Sequence, residues 1–162
     1  KELLDYDPET GVFTWKAGQR ASRKASSRYV GKAAGLTKTD GYIAIKIDGH
    51  LIAAHRLAWV YVNGDVLQPD QEMDHINGVK PDNRIANLRP ATKSQNMANM
   101  RGHSKAGLPK GVSVQSSNGR FMAAIMVNRE KLHLGTFDTP QEAHAAYCAA
   151  AVAHRGEFAR PA

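Results

Sequence analysis

The chain reads as an α+β protein, and three observations predict this. Short runs with strand-like alternation recur along its length, each closed by Gly, Asn or Asp turn residues. Two stretches, Thr92-Lys93-Ser94-Gln95 and Thr139-Pro140-Gln141-Glu142, carry the spacing of a helix-opening capping box. Small Ala residues on one face of the second of these helices, at Ala143, Ala146, Ala150 and Ala151, let it lie close on a sheet. The expected order is N-terminal β-hairpins, then a strand–turn–strand–helix block, then a three-stranded antiparallel sheet with one packed helix. Segments 1–100 and 111–162 form the two domains of this reading, joined by a basic linker over 101–110.

The elements follow in chain order. Asp7-Pro8-Glu9-Thr10-Gly11 is a turn, and Val12-Phe13-Thr14-Trp15 alternates as a strand, so the chain opens on a small structural hairpin. Residues 17–34 are poor in apolar side chains. Lys16, Arg20, Arg23, Lys24, Arg28 and Lys32 follow one another with no acid between them. This predicts a loop that is either simply solvated or one in which Arg20, Arg23, Lys24 and Arg28 track a phosphate backbone. Residues 35–53 read as a hairpin, with Tyr42 to Ile47 alternating between turns at Thr39-Asp40-Gly41 and Asp48-Gly49-His50. His55 to Val62 predicts a helix stopped by Gly64. His55 itself fits a phosphate contact, a place lining a site, or a core or capping histidine.

The stretch MDHINGVKPDNRIANLRPATKSQN, residues 73–96, carries the chemistry. Asp74 and His75 are neighbours, so on a strand they face opposite ways. Asn77-Gly78 and Pro81-Asp82-Asn83 are turn signals, the chain returns through Ile85, Leu88 and Pro90, and Thr92 opens a helix that carries Asn96. This layout can bring Asp74 near Asn96, with His75 and Asn87 close by. A carboxylate and an amide oxygen suit Mg²⁺, Mn²⁺ or Ca²⁺, and an imidazole near neutral pH can take a proton from water. Together these groups suffice for phosphodiester hydrolysis.

DHINGVKPDNRIANLR followed by SQN resembles the HNH homing endonucleases of phages and mobile introns, in the branch with Asn as the last signature residue. The resemblance runs from about Ala54 to Asn99 and includes His55-Arg56-Leu57-Ala58-Trp59. It implies a ββα-metal fold with one Mg²⁺ or Mn²⁺ per site. It further implies that His75 is the general base, that Asp74 and Asn96 hold the metal, and that Asn87 fixes the loop and the orientation of His75.

Arg101 to Lys110 is rich in Gly, Ser, Lys and Pro and reads as a linker, with Arg101 and Lys105 suited to a DNA backbone. Beyond it, Val112–Gln115, Arg120–Val127 and Lys131–Phe137 read as three strands. Thr139 then opens a helix with Pro140 at its first position. Ala143, Ala146, Tyr147, Ala150, Ala151 and His154 share one helix face, and Phe121, Ala123, Ile125, Leu132 and Leu134 are expected beneath it. GVSVQSSNGRFMAAI with LHLGTFDTPQEAHAAYCAAA resembles the plant ethylene-response-factor (APETALA-two) DNA-binding domain over about Leu108 to Ala159. That resemblance implies a sheet laid in the major groove, with Arg120, Lys131 and His133 facing DNA. Ser113, Gln115, Met126 and His133 stand where the family carries Arg and Trp, so the base readout should differ.

Composition agrees with these readings. The 162 residues carry 22 Lys and Arg against 15 Asp and Glu, a net charge of +7, which favours a polyanionic partner and here double-stranded DNA. A single cysteine, Cys148, excludes an internal disulfide and a four-cysteine zinc site. No membrane span or signal peptide is visible, so a cytoplasmic setting in a bacterial or phage-infected cell is expected, and Lys1 is not expected to be the native start. One site per chain yields a nick; a double-strand break needs a homodimer or two successive events. The alternative function is a non-catalytic DNA-binding or regulatory protein with a decayed nuclease site.

Overall fold

A computed structural model describes residues 2–17, 29–100 and 107–160. It is mixed α+β, as the alternation and capping signals predict. The chain divides into two compact units, Lys1–Lys93 and Ser94–Ala162. The expected phosphate-tracking residues Arg20, Arg23, Lys24, Arg28, Arg101 and Lys105 lie outside the described residues.

In the first unit, β1 (Leu4–Asp7) pairs antiparallel with β2 (Val12–Trp15). Asp7 closes their turn by accepting the Glu9 amide at 2.9 Å and the Thr10 hydroxyl at 2.8 Å. Gly11, at φ 72°, is required there because a Cβ would stand 2.4 Å from the Arg84 backbone nitrogen. The first hairpin therefore lies backbone to backbone against the loop at residues 83–84. The Tyr6 hydroxyl secures the same loop by donating to the Asn83 carbonyl at 2.7 Å.

The segment read as a single hairpin is a three-stranded sheet. β3 (Leu36–Thr37), β4 (Ile43–Ile47) and β5 (His50–Ala53) lie in that order, because the Thr39-Asp40-Gly41 turn returns the chain onto a short extra strand. Helix α1 (Ala54–Asn63) follows without a break and ends at Gly64, whose φ of 75° lets its amide reach the Val60 carbonyl. β6 (Gln71–His75) and β7 (Leu88–Thr92) form the last hairpin, with Asp74 opposite Arg89 and His75 opposite Leu88. Between them Ile85–Asn87 makes one 3-10 turn.

Leu4, Phe13, Ile45, Ala58, Met73 and Leu88 bring these pieces into one core. Phe13 and Ile45 are almost wholly buried, each contributing about 1.5–3 kcal/mol of apolar transfer.

Helix α2 (Lys93–Asn99) starts directly after Thr92, and from Ser94 on it belongs to the second unit. β8 (Val112–Val114), β9 (Phe121–Val127) and β10 (Glu130–Phe137) form an antiparallel sheet with β9 central. Helix α3 (Pro140–Arg155) packs on it. Its capping box is complete: the Glu142 amide donates to the Thr139 hydroxyl at 3.2 Å, and the Thr139 amide donates to the Glu142 carboxylate at 3.2 Å.

Ala143, Tyr147 and Ala151 are buried on α3, against Val112, Phe121, Ala123, Ile125 and Leu134. Two expected core residues fall outside it. His154 is exposed one residue from the helix end, and Leu132 is more than a third exposed. The register shifts between His133 and Gly135, and that bulge turns Leu134 inward while Leu132 stays at the edge.

Lys110, read as a linker cation, donates instead to the carbonyls of Ala98 and Met100 at the end of α2. Among the described residues no helix is long and apolar enough to cross a membrane.

Candidate active site

His75 ends β6 with only 4% of its surface exposed, and Asp74 before it has 3%. Alternation puts the two side chains on opposite faces, yet both are covered, because the hairpin has protein on each side.

The His75 Nε2 lies 3.2 Å from Asn83 Oδ1. The Asn83 amide nitrogen donates to the Pro81 carbonyl, which fixes the amide with its oxygen toward the ring. In the tautomer protonated at Nε2, the ring donates to that oxygen and its lone pair is on Nδ1. Asn83 is itself 1% exposed. It is held by the loop on which the first hairpin rests, so that hairpin indirectly sets the orientation of His75.

Asn87 ties the same loop together. Its Oδ1 accepts the Asn77 amide at 3.0 Å and its Nδ2 donates to the Asp82 carbonyl at 2.8 Å. The Asp82 carboxylate holds Asn77 Nδ2 at 2.7 Å and Arg84 at 2.6 Å. The Arg84 and Asn77 hydrogen bonds keep its pKa down at about 2.

Two aromatic rings face His75. His55 meets it edge to face at 5.2 Å between centroids, and Tyr42 at 5.8 Å. Burial pushes the His75 pKa below its ordinary value, against the opposing pull of Asn83, Asp74 and Asp82. Burial, then the nearby His75 and Arg56, lowers His55 further, to about 4. Both imidazoles are thus kept neutral at pH 7, the form that can accept a proton.

Asp74 Oδ2 takes the Arg89 Nε at 2.8 Å, across the β6–β7 ladder. With side-chain exposures of 3% and 11%, this is a buried ion pair. Asn96 lies half-buried on α2, in the second unit. Among the described residues no group of three or more His, Cys, Asp or Glu forms a metal cage.

Residues 53–98 match the HNH endonuclease family model. The matched segment runs from the end of β5 into α2 and holds His55, Asp74, His75, Asn83, Asn87 and Asn96. This part of the chain is thus similar to an HNH endonuclease domain. The family it resembles is one of endonucleases, which generally use a divalent metal ion. No curated protein matches the chain.

Sequence reading of the matched segment missed four of its neighbours. Asn83 and Asp82 carry the loop contacts but read as turn residues. Arg89 had a signal available, since aligning the two strands about the turn places it opposite Asp74. Tyr42 had none, lying 33 positions from His75, just before β4.

On the second unit's sheet, Arg120, Lys131 and His133 are exposed. Arg120 is paired with Asp138 at 2.8 Å and donates to the Thr136 carbonyl. Its guanidinium is engaged within the sheet.

Proposed function

We propose that this chain is a metal-dependent DNA endonuclease in which His75 is the general base. Asp74 and Asn96 hold one Mg²⁺ or Mn²⁺, and Asn87 braces the loop behind the base. The observation that carries the reading is the buried, neutral His75 ring, bonded through Nε2 to Asn83 so that Nδ1 is the basic atom.

In the hydrolytic step Nδ1 takes a proton from water. The resulting hydroxide oxygen bonds to phosphorus, and the bond from phosphorus to the leaving deoxyribose oxygen breaks; that oxygen is then protonated from solvent. The ion, when bound, supplies positive charge beside the phosphoryl and leaving oxygens. Asn83 keeps the imidazole in one tautomer through the step. Burial among Tyr42 and His55 keeps it unprotonated.

The C-terminal sheet serves, in this proposal, to bind double-stranded DNA in the manner of an ethylene-response-factor domain. Lys131 and His133 face the nucleic acid with Ser113, Gln115 and Met126. The exposure of Ser113, Met126, Lys131 and His133 supports that role. Polar side chains that are not fully charged favour groove contacts over simple phosphate neutralisation. The nuclease is of the homing type in this reading.

The Arg89–Asp74 pair favours the alternative, a DNA-binding protein without catalysis, because it already neutralises the carboxylate. Plasmid nicking with Mg²⁺, with and without EDTA, separates the two. His75→Ala abolishes nicking and leaves DNA binding nearly intact. Equal nicking by the variant and the parent refutes the base assignment.

A further inference from the structure

Helix α1 opens without a cap. Ala53 stands at its N-cap position in extended conformation and offers no side-chain acceptor, and the first turn contains no acidic residue. The amides of that turn are the groups a helix leaves unpaired, and they carry its positive end.

This bare end lines a groove of about 310 Å³, together with Lys38, Tyr42, Leu51, His55 and Arg56. His55 supplies a second, independent sign. It is 9% exposed, and its Nδ1 is a fully buried ring nitrogen with no hydrogen-bond partner among the described residues. Buried polar atoms in folded proteins nearly always have partners.

Charge in and around the groove is mostly positive. Arg56 is exposed within the first helical turn. Lys38 reaches over from the neighbouring turn, where it also holds the Asp40 carboxylate at 2.6 Å. Lys80 sits 4.8 Å from the centre of the Tyr42 ring and donates to the Asp40 carbonyl. Asp40 answers Lys38, and the Asp74 and Glu72 carboxylates also act on the Tyr42 hydroxyl.

We infer that the uncapped N-terminus of α1, with Arg56, Lys38 and His55, is a binding site for one backbone phosphate of the DNA strand, its sugar lying against Tyr42 and Leu51. The amides of the first turn donate to the phosphate oxygens, an anion site of the kind helix N-termini provide. Arg56 and Lys38 add charge, and the groove has room for a phosphate with its sugar. His55 and Tyr42 each touch His75, so a strand held here lies one side chain from the proposed base. The inference deepens the nuclease reading by assigning a second, non-reacting phosphate its seat, yet its test needs no cutting.

The test is binding of a defined duplex to the full chain in EDTA. Ala53→Asp puts a carboxylate at the empty cap, where it satisfies the helix and repels phosphate. Its thermal midpoint rises, while DNA affinity falls by roughly five- to tenfold. Arg56→Ala, at an exposed helical position, lowers affinity and reduces the slope of log affinity against log salt by about 1.

A scan with single neutral methylphosphonates locates the contact. At one position the substitution weakens the parent and has no added effect on Ala53→Asp. Ala53→Asp binding DNA as tightly as the parent overturns the inference, as does additivity at every position. Failure of the nuclease reading shows separately, as unchanged nicking by His75→Ala in Mg²⁺.

Discussion

Acid should loosen the first unit through His55, and the size of the effect follows from its burial. The ring has an ordinary pKa of 6.5 when exposed in the unfolded chain and about 4 in the folded one. As pH falls, the unfolded state takes up the proton first. The stability tied to the neutral ring is therefore complete above about pH 6.5 and is lost progressively down to about pH 4. The separation between those two values corresponds to about 3 kcal/mol at 1.36 kcal/mol per pH unit. His55→Phe keeps a ring of similar shape against His75 and Tyr42 but cannot titrate. It also removes the unpartnered nitrogen, so its stability at pH 7 should equal or exceed that of the parent. Urea unfolding followed by tryptophan fluorescence reads this unit alone, because both tryptophans, Trp15 and Trp59, lie in it. Between pH 7 and pH 4 the parent should lose about 3 kcal/mol more than His55→Phe. Carboxylates titrate alike in both proteins and cancel. An equal loss in both would refute the reasoning, since it would mean that the folded ring protonates as readily as the unfolded one.

Three further outcomes are expected. Arg89→Met removes the cation that faces the buried Asp74 carboxylate at 2.8 Å and should lower stability by about 3–5 kcal/mol in urea melts at pH 7. Asn87→Ala removes the acceptor for the Asn77 amide and the donor to the Asp82 carbonyl. It should cost about 1–3 kcal/mol and slow nicking, with Arg84→Ala, on the exposed side of the same loop, as the milder comparison. Gly111→Ala puts a Cβ 2.0 Å from the Tyr147 ring at φ 80°. It should destabilise the second unit by about 2–4 kcal/mol in circular-dichroism melts.

The local grammar of this chain was legible without coordinates. Gly64 stops α1, and Thr139 with Pro140 and Glu142 opens α3. Each of these signals lies within four residues of the group it acts on, so the sequence alone carries the interaction. The Asp74-His75 pair and Asn87 stood out for the same reason, as chemically demanding residues set among turn formers. The extra strand at Leu36–Thr37 and the bulge beside Leu134 were not legible, because two residues or one shifted register leave no periodicity to read.

What tertiary structure alone decided is the surroundings of the imidazole. Arg89 meets Asp74 because of a ladder register, Asn83 meets His75 because the first hairpin supports its loop, and Tyr42 and His55 close on the ring from just before β4 and from α1. These partners are up to 33 positions apart, and side chains so distant meet only once a common core of Phe13, Ile45 and Leu88 has fixed the elements that carry them. A residue's chemistry is written in its side chain, but its protonation state and its partners are set by burial, and burial belongs to the folded whole.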